Sequence, residues 1–142
     1  ILITIASAFA ISRAMQNSGM ADLVAQFAVG LSHSCSPVVL LAVVFVITNV
    51  FTELMTNNAA AALAFPLSLS IAQHMDVSPM PFFVTICMAA SASFSTPIGY
   101  QTNLIVQGVG NYRFADFVRI GLPLNIISLI ITVLVVPLLW PF

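Results

Sequence analysis

The sequence predicts an all-α membrane protein in which a re-entrant helical hairpin is followed by a broken transmembrane helix. Three observations carry that expectation. The 142 residues include only three arginines and four acidic side chains, while 61 % are hydrophobic and the mean hydropathy is +1.13. A soluble domain of this length needs far more charge to cover its surface, so a bilayer is the matching solvent. Most of the apolar runs fall short of the roughly 20 residues that a spanning helix needs. Two polar stretches, 56–58 and 95–103, each split what would otherwise read as a span.

Taken in order, residues 1–16 read as the end of a transmembrane helix, with Arg13 at the interface. The opening at Ile1 inside an apolar run, without methionine or a signal-peptide pattern, is read as a truncated start with a preceding part expected. Residues 20–34 are expected to form an interfacial helix. Leu23, Phe27 and Leu31 recur at four-residue spacing, with Asp22 and Gln26 on another face. The hairpin is expected over 37–74, with its tip at 56–58 and five alanines among the first six residues after that tip. Small residues there allow close helix packing. The broken helix is expected over 80–110, interrupted at 95–103, and the last transmembrane helix over 119–141. Pro123 is read as lying near the start of that last helix, where a missing N–H costs little.

Non-helical backbone at membrane depth persists only when packed in protein or lining a wet cavity. At the first interruption, Thr56-Asn57-Asn58, Asn58 is read as the cap of the following leg. That helix start would present unpaired N–H groups and roughly half a positive charge. Such an end can hold an anion without a basic side chain. The three arginines lie away from both interruptions, and the chain has no lysine. At the second interruption, Pro97 breaks the helix and Gly99 allows a tight or positive-φ turn. Freed carbonyls with the oxygens of Thr96, Thr102 and Asn103 are hard neutral ligands of the kind sodium takes. A new half-helix is expected to begin near Thr102, giving a second positive end. Taken singly, Ser, Thr and Asn also serve as packing glue worth about 1 kcal/mol, and Pro and Gly are common in membrane helices. Two interruptions in adjacent elements favour a binding cavity over both bland readings.

Glu53 is the one carboxylate inside an apolar segment, and two roles stay open: support of the hairpin tip, or direct ion binding. His33, His74 and Asp76 fall in loops, too sparse for a zinc site. Cys35 and Cys87 read as free thiols. Tyr100 and Tyr112 read as packing or interface aromatics, and Trp140 as a belt residue. No basic patch exists for nucleic acid.

At these residues the chain resembles the divalent anion–sodium symporter family. Phe51-Thr-Glu-Leu-Met-Thr-Asn-Asn-Ala-Ala-Ala-Ala-Leu63 is similar to that family's second Ser-Asn-Thr hairpin tip. Thr96-Pro-Ile-Gly-Tyr-Gln-Thr-Asn-Leu-Ile-Val106 is similar to its broken helix. Gly110-Asn-Tyr-Arg-Phe114 and Gly121-Leu-Pro-Leu-Asn125 resemble its C-terminal portion. The tip departs from the family pattern at Asn58, where an amide replaces a threonine hydroxyl.

The resemblance implies one half of an inverted-repeat transporter, its partner the missing N-terminal repeat. It further implies a multi-pass homodimer in a bacterial inner membrane. The implied cargo is a small divalent anion, a dicarboxylate, citrate or sulfate, held by Thr56, Asn57, Asn58, Thr96 and Pro97. The implied coupling ion is sodium, held by Thr56, Asn57, Thr96, Gly99, Thr102 and Asn103, with no organic cofactor. A two-to-one arginine bias, Arg113 and Arg119 against Arg13, places the 113–119 loop in the cytoplasm. The rival within the superfamily is an ion exchanger, of sodium–proton or arsenite type, in which Glu53 or Asp76 would titrate. An enzyme is not expected, since no nucleophile–base pair or His-Glu-x-x-His motif accompanies the interruptions.

Overall fold

A computed structural model describes residues 2–20, 23, 26, 30 and 36–142. The interfacial helix expected at 20–34 lies mostly outside those residues, as do Asp22, His33 and Cys35. The described residues form six helices and no strand. They are α1 (Leu2–Asn17), α2 (Pro37–Leu54), α3 (Asn57–Met75), α4 (Met80–Ser91), α5 (Gln101–Gly110) and α6 (Phe114–Leu139).

Helix α2 starts on Pro37, whose ring pre-sets φ and whose missing N–H would have had no partner there. Leu40, Leu41, Val44, Phe45, Thr48 and Thr52 recur at three- and four-residue steps and form its buried face. Two residues, Met55 and Thr56, turn the chain into α3, which doubles back along α2. Ala60 and Ala64 are fully buried, so α3 approaches its neighbours closely. It ends on Asp76 in the left-handed conformation, at φ 53°. α1 packs on α3, and α4 packs on both hairpin legs. The main core joins Leu40, Leu41 and Val44 to Leu67 and Ile71, and to Phe82 and Ile86 of α4. Phe65 stacks on Phe83 with ring centroids 4.7 Å apart, fixing α3 against α4.

Among the described residues, two helices are long and apolar enough to cross a membrane, Pro37–Leu54 and Phe114–Leu139. Helix α2 has 18 residues and ends just before the expected tip. The polar residues Thr52 and Glu53 continue the helix because they hydrogen-bond across to the last turn of α4 and the segment after it. Helix α6 begins at Phe114, where the Asp116 carboxylate accepts the Arg113 backbone N–H at 2.8 Å. Pro123 therefore sits inside the helix rather than near its start, a correction to the sequence reading. With no N–H at Pro123, the Arg119 carbonyl loses its helical donor. Most large side chains of α6 are exposed, while Gly121, Asn125, Thr132 and Val136 form its buried stripe against α2 and α4.

Candidate functional site

The site is built where the hairpin meets the unwound segment after α4. Helix α4 ends at Ser91, and residues 92–100 connect it to α5 without regular structure. Unwinding starts at Ala92, ahead of the Ser95 to Asn103 stretch read from the sequence, because hairpin side chains take up the carbonyls that an α-helix would have used. The Thr52 hydroxyl donates to the Ala90 carbonyl at 2.7 Å. The Asn49 amide donates to the Ala92 carbonyl. On the other side, the Asn103 amide donates to the carbonyls of Ser93 at 3.2 Å and Thr96 at 3.1 Å. Four carbonyls thus each have one lone pair engaged, and among them only that of Thr96 belongs to the 95–103 stretch whose carbonyls were expected to be free.

Glu53 ties the two elements together. Its Oε1 accepts the Ser95 backbone N–H at 2.8 Å and the Asn125 amide at 2.9 Å. Its backbone carbonyl accepts the Thr96 hydroxyl at 2.8 Å. The same Thr96 oxygen accepts the Gly99 N–H at 3.2 Å, folding the segment into a short turn. Gly99 does not have positive φ, contrary to one of the two conformations expected for it; Gly19 is the positive-φ glycine among the described residues. What the site requires at Gly99 is the missing Cβ, which would strike Ser93 Oγ and crowd the Thr52 carbonyl. Gly121 plays the matching part on α6, where a Cβ would strike the Phe94 carbonyl.

The tip is arranged differently from expectation at one point. Thr56, not Asn58, is the N-cap of α3, and its Oγ1 accepts the Ala59 N–H at 3.4 Å. Threonine with extended backbone at φ −68°, ψ 148° is suited to that role. Asn57 and Asn58 are then the first two helical residues, whose N–H groups have no intrahelical acceptor. The Asn57 Oδ1 accepts the Thr52 hydroxyl at 2.9 Å, so the tip and the Ala90 carbonyl share one donor. Thr56 and Asn58 are exposed. Helix α5 also opens without a side-chain cap, its N-cap being Tyr100, and leaves the N–H groups of Gln101 and Thr102 unpaired within the helix. Thr102 is exposed, Asn103 and Thr96 are half-buried, and Pro97 and Gly99 are buried.

Glu53, Thr96, Gly99 and Asn103 are therefore joined in one hydrogen-bonded cluster, to which Asn57 connects through Thr52. Thr56, Asn58 and Thr102 lie at helix starts beside it. Sequence reasoning missed Asn49, Thr52, Ser93 and Asn125. Asn49, Thr52 and Glu53 share one helical face by their spacing, and Asn125 is an isolated amide in an otherwise apolar span; both signals were present in the sequence. The three arginines are exposed, so among the described residues no arginine enters the cluster.

The citrate transporter family matches residues 1–141. An uncharacterized transporter, sll0640, of Synechocystis is 38 % identical over 140 residues, covering 99 % of this chain and 23 % of the relative. The probable sodium/sulfate cotransporter 3 of Chlamydomonas reinhardtii is 36 % identical over 129 residues, 89 % of this chain and 14 % of the relative. The sodium-dependent dicarboxylate transporter SdcS of Staphylococcus saprophyticus is 28 % identical over 141 residues, 99 % of this chain and 27 % of the relative. The chain thus spans about a quarter or less of these relatives. Matched along nearly its whole length, with both polar interruptions inside the match, the chain belongs to the citrate transporter family of divalent anion–sodium symporters, which are integral membrane transporters.

Proposed function

We propose that this chain is the C-terminal repeat of a secondary transporter that couples sodium to the uptake of a small divalent anion. In this reading α2 and α3 are a re-entrant hairpin and α4–α5 a broken transmembrane helix. The observation that carries it is the level at which the two meet. Helix α4 has 12 residues and α5 has 10. At 1.5 Å per residue they rise about 18 Å and 15 Å, each roughly half of a hydrocarbon core. The segment between them then lies near mid-depth, and Thr52 and Glu53, next to the tip of the hairpin, are bonded to that segment.

Two open helix starts at that depth supply the attraction for an anion. The N–H groups of Asn57 and Asn58 and those of Gln101 and Thr102 offer unpaired donors to a cargo in the water-lined cavity. A cation held beside them by neutral oxygens offsets the anion's charge without an arginine. We assign the anion to Thr56, Asn57, Asn58, Thr96 and Pro97, and sodium to Thr56, Asn57, Thr96, Gly99, Thr102 and Asn103. Sodium is cargo here, and the chemistry needs no organic cofactor. The sodium/sulfate and dicarboxylate names of the relatives support an oxyanion as the partner cargo. The complementary repeat, a homodimer and a bacterial inner membrane belong to the same reading.

Uptake of sulfate, succinate and citrate by the full-length transporter, with sodium or choline outside, tests the assignment. Asn57→Ala and Thr102→Ala are expected to abolish sodium-dependent uptake while membrane insertion persists. Wild-type uptake in both variants would overturn it.

A further inference from the structure

The last helix brings an amide to the hairpin for which the transport reading has no task. Asn125 and Glu53 are 8 % and 9 % exposed. Asn125 Nδ2 donates to Glu53 Oε1 at 2.9 Å and to Ser95 Oγ at 2.8 Å. The Ser95 N–H reaches the same carboxylate oxygen at 2.8 Å. Both donors to the carboxylate therefore fall on Oε1. Glu53 Oε2 and Asn125 Oδ1 are buried and have no hydrogen-bond partner. They are the free ends of one carboxylate–amide pair. Both residues line a cavity of about 430 Å³, whose other polar members are Asn49 and Ser95.

Bare buried acceptors are costly, and most costly on a carboxylate. An ionised carboxylate out of water needs a positive charge against it. Among the described residues none stands there: Arg13, Arg113 and Arg119 are exposed, and His74 is bonded to the Ser70 carbonyl at the other end of α3. What the pair offers is one negative charge and two buried hard oxygen atoms that no donor among the described residues reaches. That combination selects a small, hard monovalent cation over an anion or a soft metal.

We propose that Glu53 Oε2 and Asn125 Oδ1 form a further sodium site, on the α6 side of the hairpin and distinct from the Thr56–Asn58 tip. Occupancy joins three elements at one ion: the hairpin through Glu53, the unwound segment through Ser95 and the last helix through Asn125. The identity of the ion rests on the transport reading; the existence of the site does not.

Equilibrium binding of ²²Na⁺ to the purified full-length transporter, without any anion, tests the site. Glu53→Gln is expected to remove one bound sodium, and Asn125→Ala to weaken that sodium by about tenfold. Asn57→Ala, at the tip, is expected to keep the component that Glu53→Gln removes. Sodium binding that Glu53→Gln leaves unchanged overturns the proposal, and a proton occupying the pair would give that same result. Should Glu53→Gln fail to fold, unchanged sodium affinity in Asn125→Ala overturns it equally. Sodium binding lost in Asn57→Ala alone would uphold the tip and reject this site. Glu53-dependent binding in a protein that moves no anion would do the reverse.

Discussion

Glu53 and Asn125 stand 72 positions apart in sequence, and a 2.9 Å hydrogen bond joins them across α2 and α6. Through Ser95, the same pair holds the start of the unwound segment. The hairpin, the break and the last helix therefore share one buried polar joint. Replacing Asn125 by leucine keeps the branching and the number of heavy atoms but strips two donated bonds and leaves the Ser95 hydroxyl without its donor. Thermal unfolding of the purified transporter should show a loss of about 1–3 kcal/mol. An unchanged midpoint would mean that the joint contributes nothing.

The two buried glycines give a second, sharper expectation. A Cβ at Gly121 or Gly99 meets backbone atoms that cannot swing aside. Gly121→Ala and Gly99→Ala should each destabilise by about 1–3 kcal/mol through overpacking, with loss of uptake. Gly108 lies in α5 with nothing within 4 Å of an added Cβ. Gly108→Ala should be neutral, or stabilising by up to about 1 kcal/mol. Melting curves of the three variants side by side check the contrast.

Thr52 donates to both the Ala90 carbonyl and the Asn57 side chain. Valine has its shape but not its hydroxyl. Thr52→Val should cost about 1–2 kcal/mol and raise the sodium concentration that half-saturates uptake, since Asn57 loses its anchor. A stability loss without any change in sodium dependence would assign Thr52 to packing alone.

The cap of α3 can be tested separately from its chemistry. Thr56→Ala should destabilise the hairpin by about 0.5–1 kcal/mol, the low end for a cap, given its 3.4 Å hydrogen bond. Thr56→Ser should restore both stability and uptake. Restored stability without uptake would show that the methyl group matters to the cargo.

The helical membrane class and the two polar interruptions were legible because they rest on local facts. Hydropathy, the proline at 97 and the Thr-Asn-Asn tip all act within a few residues. What was not legible is that Asn49 and Thr52 reach across from another helix to claim carbonyls at the end of α4. The cap moved from Asn58 to Thr56 because the helix could start earlier than the alanine run suggested. Asn125 was visible as a lone amide in an apolar span, but its task was not. Its partner lies 72 residues upstream, a pairing that no local pattern reports.

The central claim is that the hairpin tip and the break lie at mid-bilayer yet face water. Leu54 and Ile98 flank them, are 70 % and 63 % exposed, and are outside the assigned binding set. The most direct measurement is cysteine accessibility of Leu54→Cys and Ile98→Cys in the full-length transporter, with Cys35 and Cys87 changed to serine. The account predicts that a membrane-impermeant thiol reagent labels both positions from the aqueous phase, and that sodium with the transported anion slows the labelling. Labelling only by a lipid-soluble reagent, unaffected by sodium and anion, would contradict it.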